Sequence, residues 1–164
     1  MSMSQSQLKN SAQAVQDALD AAGVPCEVKE FPASTRTAAD AAAAIGCQVA
    51  EIAKSIVFKG AESGRAVMVV ASGTERVDEK KVRALIGEKT GKADADFVRR
   101  ATGYAIGGVP PCGHAGDVTL LLDENLRSFD VLWAAAGTPN AVFRLTPEQL
   151  QRLTGANFVD VVKT

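Results

Sequence analysis

The sequence predicts an α+β domain built around a mixed β-sheet. Its 164 residues are about one domain's length, and its hydrophobic fraction of 46% is typical of a soluble globular protein. The segments with strand-like patterns outnumber the amphipathic segments that could separate parallel strands, which favours a sheet with both parallel and antiparallel pairs. No linker or internal repeat divides the chain, so we predict a single domain over residues 1–164.

The first third of the chain predicts two helices and a strand. Apolar residues recur at three- and four-residue spacing over residues 5–22, which indicates an amphipathic helix that Gly23 ends. Residues 26–31 alternate between apolar and charged side chains and predict a half-exposed strand. Thr37 can then cap an alanine-rich helix that ends near Gly46.

The remaining elements follow from the same patterns. A helical turn (49–53) leads into two apolar strands (55–59 and 66–71) and two charged helices (78–86 and 94–101). After a glycine- and proline-rich loop (103–116), we predict a strand (118–122), a short helix (124–129), two strands (131–135 and 141–145), a helix (147–153) and a last strand (157–162). Thr146 followed by Pro147 is a good helix start, since threonine caps the first turn and proline fits within it.

Charge and composition exclude several classes of protein. The 18 basic and 19 acidic residues give a net charge of −1, which disfavours a strongly basic domain for duplex nucleic acid. No apolar run reaches the roughly 20 residues of a membrane-spanning helix, and the polar N-terminus lacks the apolar core of a signal peptide. We therefore expect a cytoplasmic location and no membrane partner. Three separated cysteines and one histidine disfavour a metal site, and we expect no cofactor.

Three segments could carry chemistry, each with an ordinary structural alternative. Lys54 precedes an apolar strand, where it is either a solvated charge or an ammonium that meets an anionic or carbonyl group. The loop 103–116 is either a tight crossover or a cradle whose backbone N–H groups approach an oxyanion or a phosphate. It matches neither of the common nucleotide-binding glycine motifs. Eight basic residues between 76 and 100 form either a solvated helix surface or a phosphate-tracking face: Arg76, Lys80, Lys81, Arg83, Lys89, Lys92, Arg99 and Arg100.

Other polar residues are weaker candidates. His114 could act as a general base, although a lone loop histidine more often has a hydrogen-bonding role. Cys112 could be a nucleophile, although burial is commoner for a cysteine without a basic partner. Thr35 and Thr37 either shape the turn before the helix or line a pocket. From the residues alone, the sequence indicates a soluble α+β domain with a candidate ligand loop.

Taken together, these segments resemble the YbaK/prolyl-tRNA-synthetase-associated editing-domain family. The resemblance rests on AKSIVFKG around Lys54, VASGTERVD at residues 70–78 and TGYAIGGVPPCGH at residues 102–114. With the later LLLDENL and AAGTPNAVFRLTPEQL segments, it covers nearly the whole chain. It implies a mixed, barrel-like sheet surrounded by helices.

The resemblance also implies an activity, namely that of a free-standing aminoacyl-tRNA deacylase. Such a protein hydrolyses the ester of a small, wrong amino acid on tRNA, typically tRNA(Pro). Mischarged tRNA is then the expected partner, and prolyl-tRNA synthetase is a candidate second one. No protein nucleophile is needed, since the ester is activated and water can attack a well-positioned carbonyl.

The resemblance assigns residues to this activity. The family's functional lysine maps onto Lys54, and its G-x-x-x-P loop maps onto residues 107–111. The implied catalytic residues are Lys54, Gly107, Gly108 and Pro111. The candidate substrate-binding residues are Phe31, Thr35, Ser55, Val109, Pro110, His114 and Ala135. The candidate tRNA-binding residues are Arg76, Lys80, Lys81, Arg83, Arg99 and Arg100.

One departure from the family bears on specificity. The branch that clears Cys-tRNA(Pro) has a serine and two glycines where this chain has Ala135, Ala136 and Gly137. We therefore expect alanine, 2-aminobutyrate, serine or threonine as substrate rather than cysteine. Three alternatives stay open: a non-catalytic module that binds aminoacyl-tRNA or a synthetase, a small-molecule esterase or amidase that uses Cys112, and a structural or partner-binding domain.

Overall fold

A mixed β-sheet forms the centre of the fold. The computed structural model describes residues 10–164. The strands within this range are β1 (Val28–Glu30), β2 (Ile52–Gly60), β3 (Ala66–Ser72), β4 (Thr90–Lys92), β5 (Val118–Asp123), β6 (Leu132–Ala135), β7 (Ala141–Leu145) and β8 (Phe158–Val159). Their order is β1-β7-β6-β2-β3-β5-β8, with β4 paired to β2. The pairs β2–β6, β3–β5 and β5–β8 are parallel and the others are antiparallel.

The predicted α+β class and mixed sheet are confirmed. The sheet is not closed into a barrel, since no pairing within residues 10–164 joins β1 to β8. The described helices are α1 (Asn10–Ala21), α2 (Ala38–Ile45), α3 (Glu79–Ile86), α4 (Ala95–Thr102) and α5 (Pro147–Thr154), with 3-10 helices at Val49–Glu51 and Glu124–Ser128. None of these helices combines the length and apolar character that crossing a membrane requires.

Local capping explains where the helices begin. The hydroxyl of Thr37 accepts a hydrogen bond from the N–H of Asp40, and the hydroxyl of Thr146 accepts one from the N–H of Gln149. Both satisfy N–H groups that the first turn leaves free. The predicted helix over residues 5–22 is observed over Asn10–Ala21, and residues 5–9 lie outside the described part of the chain.

The structure differs from the predicted elements at several element ends and by one additional strand. The predicted helical turn over residues 49–53 was too long, because Ile52 and Ala53 already pair with β6. The short polar strand β4 was not predicted, since Thr-Gly-Lys has no strand pattern of its own. The last predicted strand shortens to Phe158–Val159, although Val162 forms an isolated bridge with Val77.

Strand β3 separates two apolar clusters. Met68 and Val70 belong to the larger cluster, which includes Val98 of α4. Val67, Val69 and Ala71 belong to the smaller one, which includes Val82 of α3. Because alternate residues of a strand point to opposite faces of the sheet, α3 and α4 pack on opposite faces.

Candidate functional site

The outer edge of β2 changes partners along its length. On its inner side, β3 pairs continuously with residues 53–59. On its outer side, β6 pairs only with residues 52–53, and β4 pairs only with residues 58–60. The outer edge therefore has no strand partner at residues 54–57.

A cavity of about 450 Å³ opens at this gap. Six consecutive residues of β2, from 52 to 57, line it. A strand face would contribute only alternate residues, so this continuous lining shows that the edge of β2 borders the cavity. The other walls are residues 35–38 before and within α2, parts of the loop 106–109, and residues 133–135 of β6.

The cavity brings together about half of the predicted catalytic and substrate-binding residues. Those in its lining are Lys54, Ser55, Thr35, Gly107, Val109 and Ala135. The predicted residues outside the lining are Gly108, Pro110, Pro111, Phe31 and His114.

Lys54 is held by backbone carbonyl groups. Its Nζ donates hydrogen bonds to the carbonyl oxygens of Gly73 at 3.2 Å and Glu75 at 2.6 Å. Partial burial lowers the pKa of Lys54; the nearby Glu75 and Asp123 charges oppose this, and Arg76 adds to it. An ammonium has three N–H donors, so one remains for a ligand. Lys54 has no ion pair with any described carboxylate.

The glycine-rich loop is fixed by close backbone packing at Gly108. Its N–H donates to the carbonyl of Ala105 at 3.2 Å, and its carbonyl accepts the N–H of Gly137 at 2.7 Å. A Cβ on Gly108 would lie 2.8 Å from the backbone of Thr138, so no other residue fits without movement. Gly108 therefore positions the loop from outside the cavity.

Gly107 and Val109 reach the cavity on either side of that anchor. Gly107 has a φ of +98°, and a Cβ there would lie 2.6 Å from the Arg36 side chain. Among the described residues, neither the N–H of Gly107 nor that of Val109 donates a hydrogen bond. These two donors are therefore free to approach a ligand oxygen.

The predicted residues outside the cavity support the surrounding structure. The His114 ring lies 2.7 Å from the carbonyl oxygen of Pro110, and burial lowers the pKa of His114. Phe31 is fixed to the start of β7, where its carbonyl accepts a hydrogen bond from the side chain of Asn140 at 3.0 Å. Cys112 is buried, which raises the pKa of its thiol to about 12.

The six candidate tRNA-binding residues do not share one face. Lys80, Lys81 and Arg83 lie on α3, whereas Arg99 and Arg100 lie on α4 across the sheet. Lys81 is also engaged, with an ion pair to Asp160 at 2.9 Å. Arg76 is exposed and lies in the segment that holds Lys54.

Sequence patterns missed several lining residues. Arg36, which directly precedes the capping residue Thr37, is exposed and lies against Gly107. Ile106 and Trp133 also line the cavity. The only local signal for Arg36 was its position beside a helix start, whereas Trp133 looked like an ordinary strand residue.

The composition of the lining limits the chemistry available. No Asp, Glu, His or Cys lines this cavity, and the residues 10–164 contain no group of three or more such side chains that could hold a metal. The polar groups of the lining residues are hydroxyls, the Lys54 ammonium, the Arg36 guanidinium, the Trp133 indole N–H and backbone amides. Such a site can bind and orient an acyl group, but it holds no carboxylate or imidazole base for a serine nucleophile, and the Lys54 ammonium already donates to two carbonyl oxygens.

Comparisons with known proteins identify the family of the chain. The family model described as the aminoacyl-tRNA editing domain matches residues 32–153. YwhH of Bacillus subtilis is 36% identical over 138 residues, which cover 84% of this chain and 87% of YwhH. A crystal structure titled "a putative trans-editing enzyme for prolyl tRNA synthetase" is 46% identical, with a TM-score of 0.90 over 96% of this chain and all of that one. The proline–tRNA ligase of Limosilactobacillus fermentum is 31% identical over 103 residues, which cover 60% of this chain and 18% of the ligase.

Proposed function

Since the chain belongs to the aminoacyl-tRNA editing domain family, we propose that it is a trans-editing aminoacyl-tRNA deacylase. Its substrate is a tRNA, tRNA(Pro) in our proposal, that carries a small, wrong amino acid. The observation that carries the proposal is the cavity lined by Lys54, which combines a largely apolar lining and free backbone donors with no carboxylate, imidazole or thiol. An aminoacyl ester is activated, so orienting it toward water is sufficient for hydrolysis.

The reaction proceeds by addition of water to the ester carbonyl. The oxygen of water bonds to the carbonyl carbon, and the bond from that carbon to the terminal ribose oxygen breaks. The ribose oxygen receives a proton from the attacking water, which gives a free amino acid and an uncharged tRNA. The neighbouring ribose hydroxyl orients the water, because the cavity lining contains no carboxylate or imidazole.

Gly107 and Val109 supply the electrostatic stabilisation in this mechanism. Their free N–H groups donate to the carbonyl oxygen as negative charge develops on it. A positioned oxyanion donor contributes roughly 3–4 kcal/mol to the stability of the transition state. Lys54 directs its remaining N–H toward the substrate near the ester.

Arg36 serves as the anchor for the terminal phosphate. It is exposed at the cavity, has no ion pair with a described carboxylate and lies against the loop. A guanidinium binds phosphate through paired donors. With a net charge of −1, the chain has little long-range attraction for RNA, so local cations at the cavity determine affinity.

The apolar lining favours a small side chain on the substrate. Ala53, Ala134 and Ala135 lie beside Val57 and Val98 around the cavity, and none offers a hydrogen bond from its side chain. Because this chain has Ala135, Ala136 and Gly137 in place of the serine and two glycines of the branch that clears Cys-tRNA(Pro), we propose alanine, 2-aminobutyrate, serine or threonine ahead of cysteine. A lining of this kind separates substrates that differ by one methylene by only about 1–3 kcal/mol.

One panel of substrates tests this function. Transfer RNA(Pro) is charged in turn with Ala, 2-aminobutyrate, Ser, Thr, Cys and Pro, and the rate of ester loss is compared with that of tRNA alone. We expect rapid hydrolysis of at least one small aminoacyl ester and none of Pro-tRNA(Pro). Binding without hydrolysis across the whole panel would instead identify a non-catalytic binding module.

A further inference from the structure

The backbone of β2 presents unpaired polar groups to the cavity, and their identity follows from the strand pairing. In an antiparallel pair, the N–H and C=O of one residue point toward the partner and those of the next point away. The N–H of Gly60 donates to the carbonyl of Arg65 across the β2–β3 turn at 2.8 Å, whereas the N–H of Ala61 donates to Lys89 on the outer side at 2.8 Å. The backbone N–H and C=O groups of even-numbered residues of β2 therefore point toward β3, and those of odd-numbered residues point toward the outer edge.

Ser55 and Val57 are the odd-numbered residues within the gap. The register with β3 is continuous from residue 53 to residue 59, so no bulge changes the alternation. At the other end of the β2–β3 pairing, the N–H of Ser72 donates to the Asp123 carboxylate at 3.1 Å and not to its partner in β2, Ala53. Ala53 is odd-numbered, so this agrees with the alternation. Ser55 thus directs its N–H and C=O toward the cavity, and Val57 directs its N–H there, whereas the C=O of Val57 points to the end of the β4 segment, as the pairing of Phe58 with Lys92 requires.

The hydroxyl of Ser55 adds a fourth polar group. Its Oγ is buried and has no hydrogen-bond partner among the described residues. Buried polar groups in folded proteins are nearly always paired, and leaving one unpaired is unfavourable. The open carbonyl oxygen and the unpaired hydroxyl of Ser55 both accept hydrogen bonds, so they favour a ligand that supplies several donors.

We propose that this open edge of β2, at Ser55 and Val57, is the subsite for the α-ammonium of the aminoacyl group. This inference rests on the proposed function, since it places the amino acid of that substrate. The carbonyl oxygen and the hydroxyl of Ser55 accept N–H groups of the ammonium. The acyl carbonyl then points away from β2 toward the free N–H groups of Gly107 and Val109.

The length of the gap favours a single amino acid over a peptide strand. The outward-facing residues are two positions apart, about 7 Å along a strand. β6 closes one end of the gap and β4 closes the other, so an added strand could not extend past either end. Strand addition needs a longer open edge.

Changing the amino group of the substrate tests the subsite. The best ester from the substrate panel is compared with its α-hydroxy analogue (lactyl-tRNA when alanine is best) and with its N-acetyl form. Each rate is divided by the spontaneous rate of the same ester. We expect kcat/KM to fall about 10- to 100-fold for the α-hydroxy ester and further for the N-acetyl ester. Rates within threefold of the aminoacyl ester would overturn the subsite.

A non-hydrolysable ligand separates this inference from the proposed function. The probe is adenosine that carries alanine in amide linkage at the 3′ position, with its N-acetyl form as the comparison, and binding is measured by calorimetry. We expect the N-acetyl form to bind at least 10-fold more weakly. If the N-acetyl form binds more weakly but no ester is hydrolysed, the subsite is supported and the deacylase function is not. If esters are hydrolysed but both probes bind equally, the deacylase function is supported and the subsite is overturned. No binding of either probe would also overturn the subsite.

A variant at Ser55 tests the subsite from the side of the protein. Ser55→Ala should reduce the ratio of aminoacyl to α-hydroxyacyl rates about 3- to 10-fold. A purely structural role would change both rates equally and leave that ratio intact. Ser128→Ala is the matched control, because its hydroxyl bonds to the carbonyl of Asn125 away from the cavity. An unchanged ratio in Ser55→Ala would exclude the hydroxyl from the subsite.

Discussion

The side chain of Glu88 is buried and that of Lys54 is partly buried, but only Glu88 uses all of its hydrogen-bonding capacity within the protein. The Oε1 of Glu88 accepts the N–H groups of Glu62 and Ser63, each at 2.9 Å. Its Oε2 accepts the hydroxyl of Ser63 at 2.7 Å and pairs with Arg65 at 3.2 Å. Lys54, in contrast, has two carbonyl partners and keeps a donor free beside a cavity.

The difference separates structural from functional charge. Four donors fill the carboxylate of Glu88, which ties together the turn between β2 and β3 and leaves nothing for a ligand. Lys54 is fixed well enough to point in one direction, yet it remains able to bind. The same contrast exists in the loop, where Gly108 uses both backbone groups and its neighbours Gly107 and Val109 keep free N–H groups.

The largest expected effect is that of removing the free donor of Lys54. Lys54→Met should lower kcat/KM for the best aminoacyl-tRNA by about 100-fold or more, because it removes a preorganised cation beside the ester. The Tm should fall modestly, because the carbonyls of Gly73 and Glu75 lose a donor while the aliphatic part of the side chain is retained. Lys59→Met is the control, because Lys59 lies on the same strand but is exposed and packs over Phe97. Near-normal deacylation by Lys54→Met would remove Lys54 from the mechanism.

The second-largest expected effect is that of replacing Gly108, which anchors the loop but offers no free N–H group of its own. Gly108→Ala places a Cβ against the backbone of Thr138, so the loop must shift and its N–H groups must move with it. We expect kcat/KM to fall about 10- to 100-fold, as measured by single-turnover deacylation. Gly91→Ala is the control, since a Cβ there would make only an ordinary contact of 3.6 Å with Lys59. Full activity in Gly108→Ala would show that the loop need not be held in this position.

A third prediction concerns the filled carboxylate. Hydrogen bonds from Ser63 and Glu62 lower the pKa of Glu88 from 4.5 to about 2. A carboxyl whose pKa is depressed in the folded state stabilises the fold above its unfolded pKa and loses that contribution as pH falls toward its folded pKa. Glu88 therefore stabilises the protein above about pH 4.5, and this contribution is lost between about pH 4.5 and pH 2.

The variant Glu88→Gln tests this by thermal unfolding across pH 2–7. We expect a lower Tm at neutral pH and a flatter decline in acid, with kcat/KM of the folded protein within about twofold of normal. Glu62→Gln is the control, because its exposed side chain makes none of these bonds. A large loss of activity in Glu88→Gln at unchanged Tm would contradict a purely structural role.

The elements were predictable because their signals are local. Thr37 and Thr146 cap helices as predicted, and Gly46 ends α2 in the left-handed conformation. The gap in the sheet was not predictable, because it depends on where β6 and β4 stop pairing with β2. Strand partners are distant in sequence, and no periodicity within β2 records them.

The site was predictable to the extent that its residues carry recognisable patterns. Lys54 and Gly107 stood out by sequence and line the cavity, whereas Arg36 reaches it only because the chain folds back against the loop. The basic residues between 76 and 100 illustrate the opposite case. They are close in sequence, yet α3 and α4 place five of them on opposite faces of the sheet.

The smallest expected effect on activity comes from replacing Cys112. Its thiol neither ties together a turn, as the carboxylate of Glu88 does, nor offers a donor to the cavity, as Lys54 does. Burial raises the pKa of its thiol to about 12, so only about one molecule in ten thousand is a thiolate at pH 8. Cys112 is also absent from the cavity lining. Cys112→Ala should therefore keep kcat/KM within about twofold, although loss of the buried sulfur lowers stability by about 1 kcal/mol.

Alkylation provides the matching measurement on the unmodified chain. Iodoacetamide should label the partly exposed Cys47 before Cys112, as followed by mass spectrometry, and deacylation should persist after Cys47 is labelled. The double variant Cys26→Ala/Cys47→Ala would then isolate the slower reaction at Cys112. Loss of activity in Cys112→Ala with an unchanged Tm would favour a cysteine esterase. Burial alone would then not distinguish structural from functional side chains in this fold.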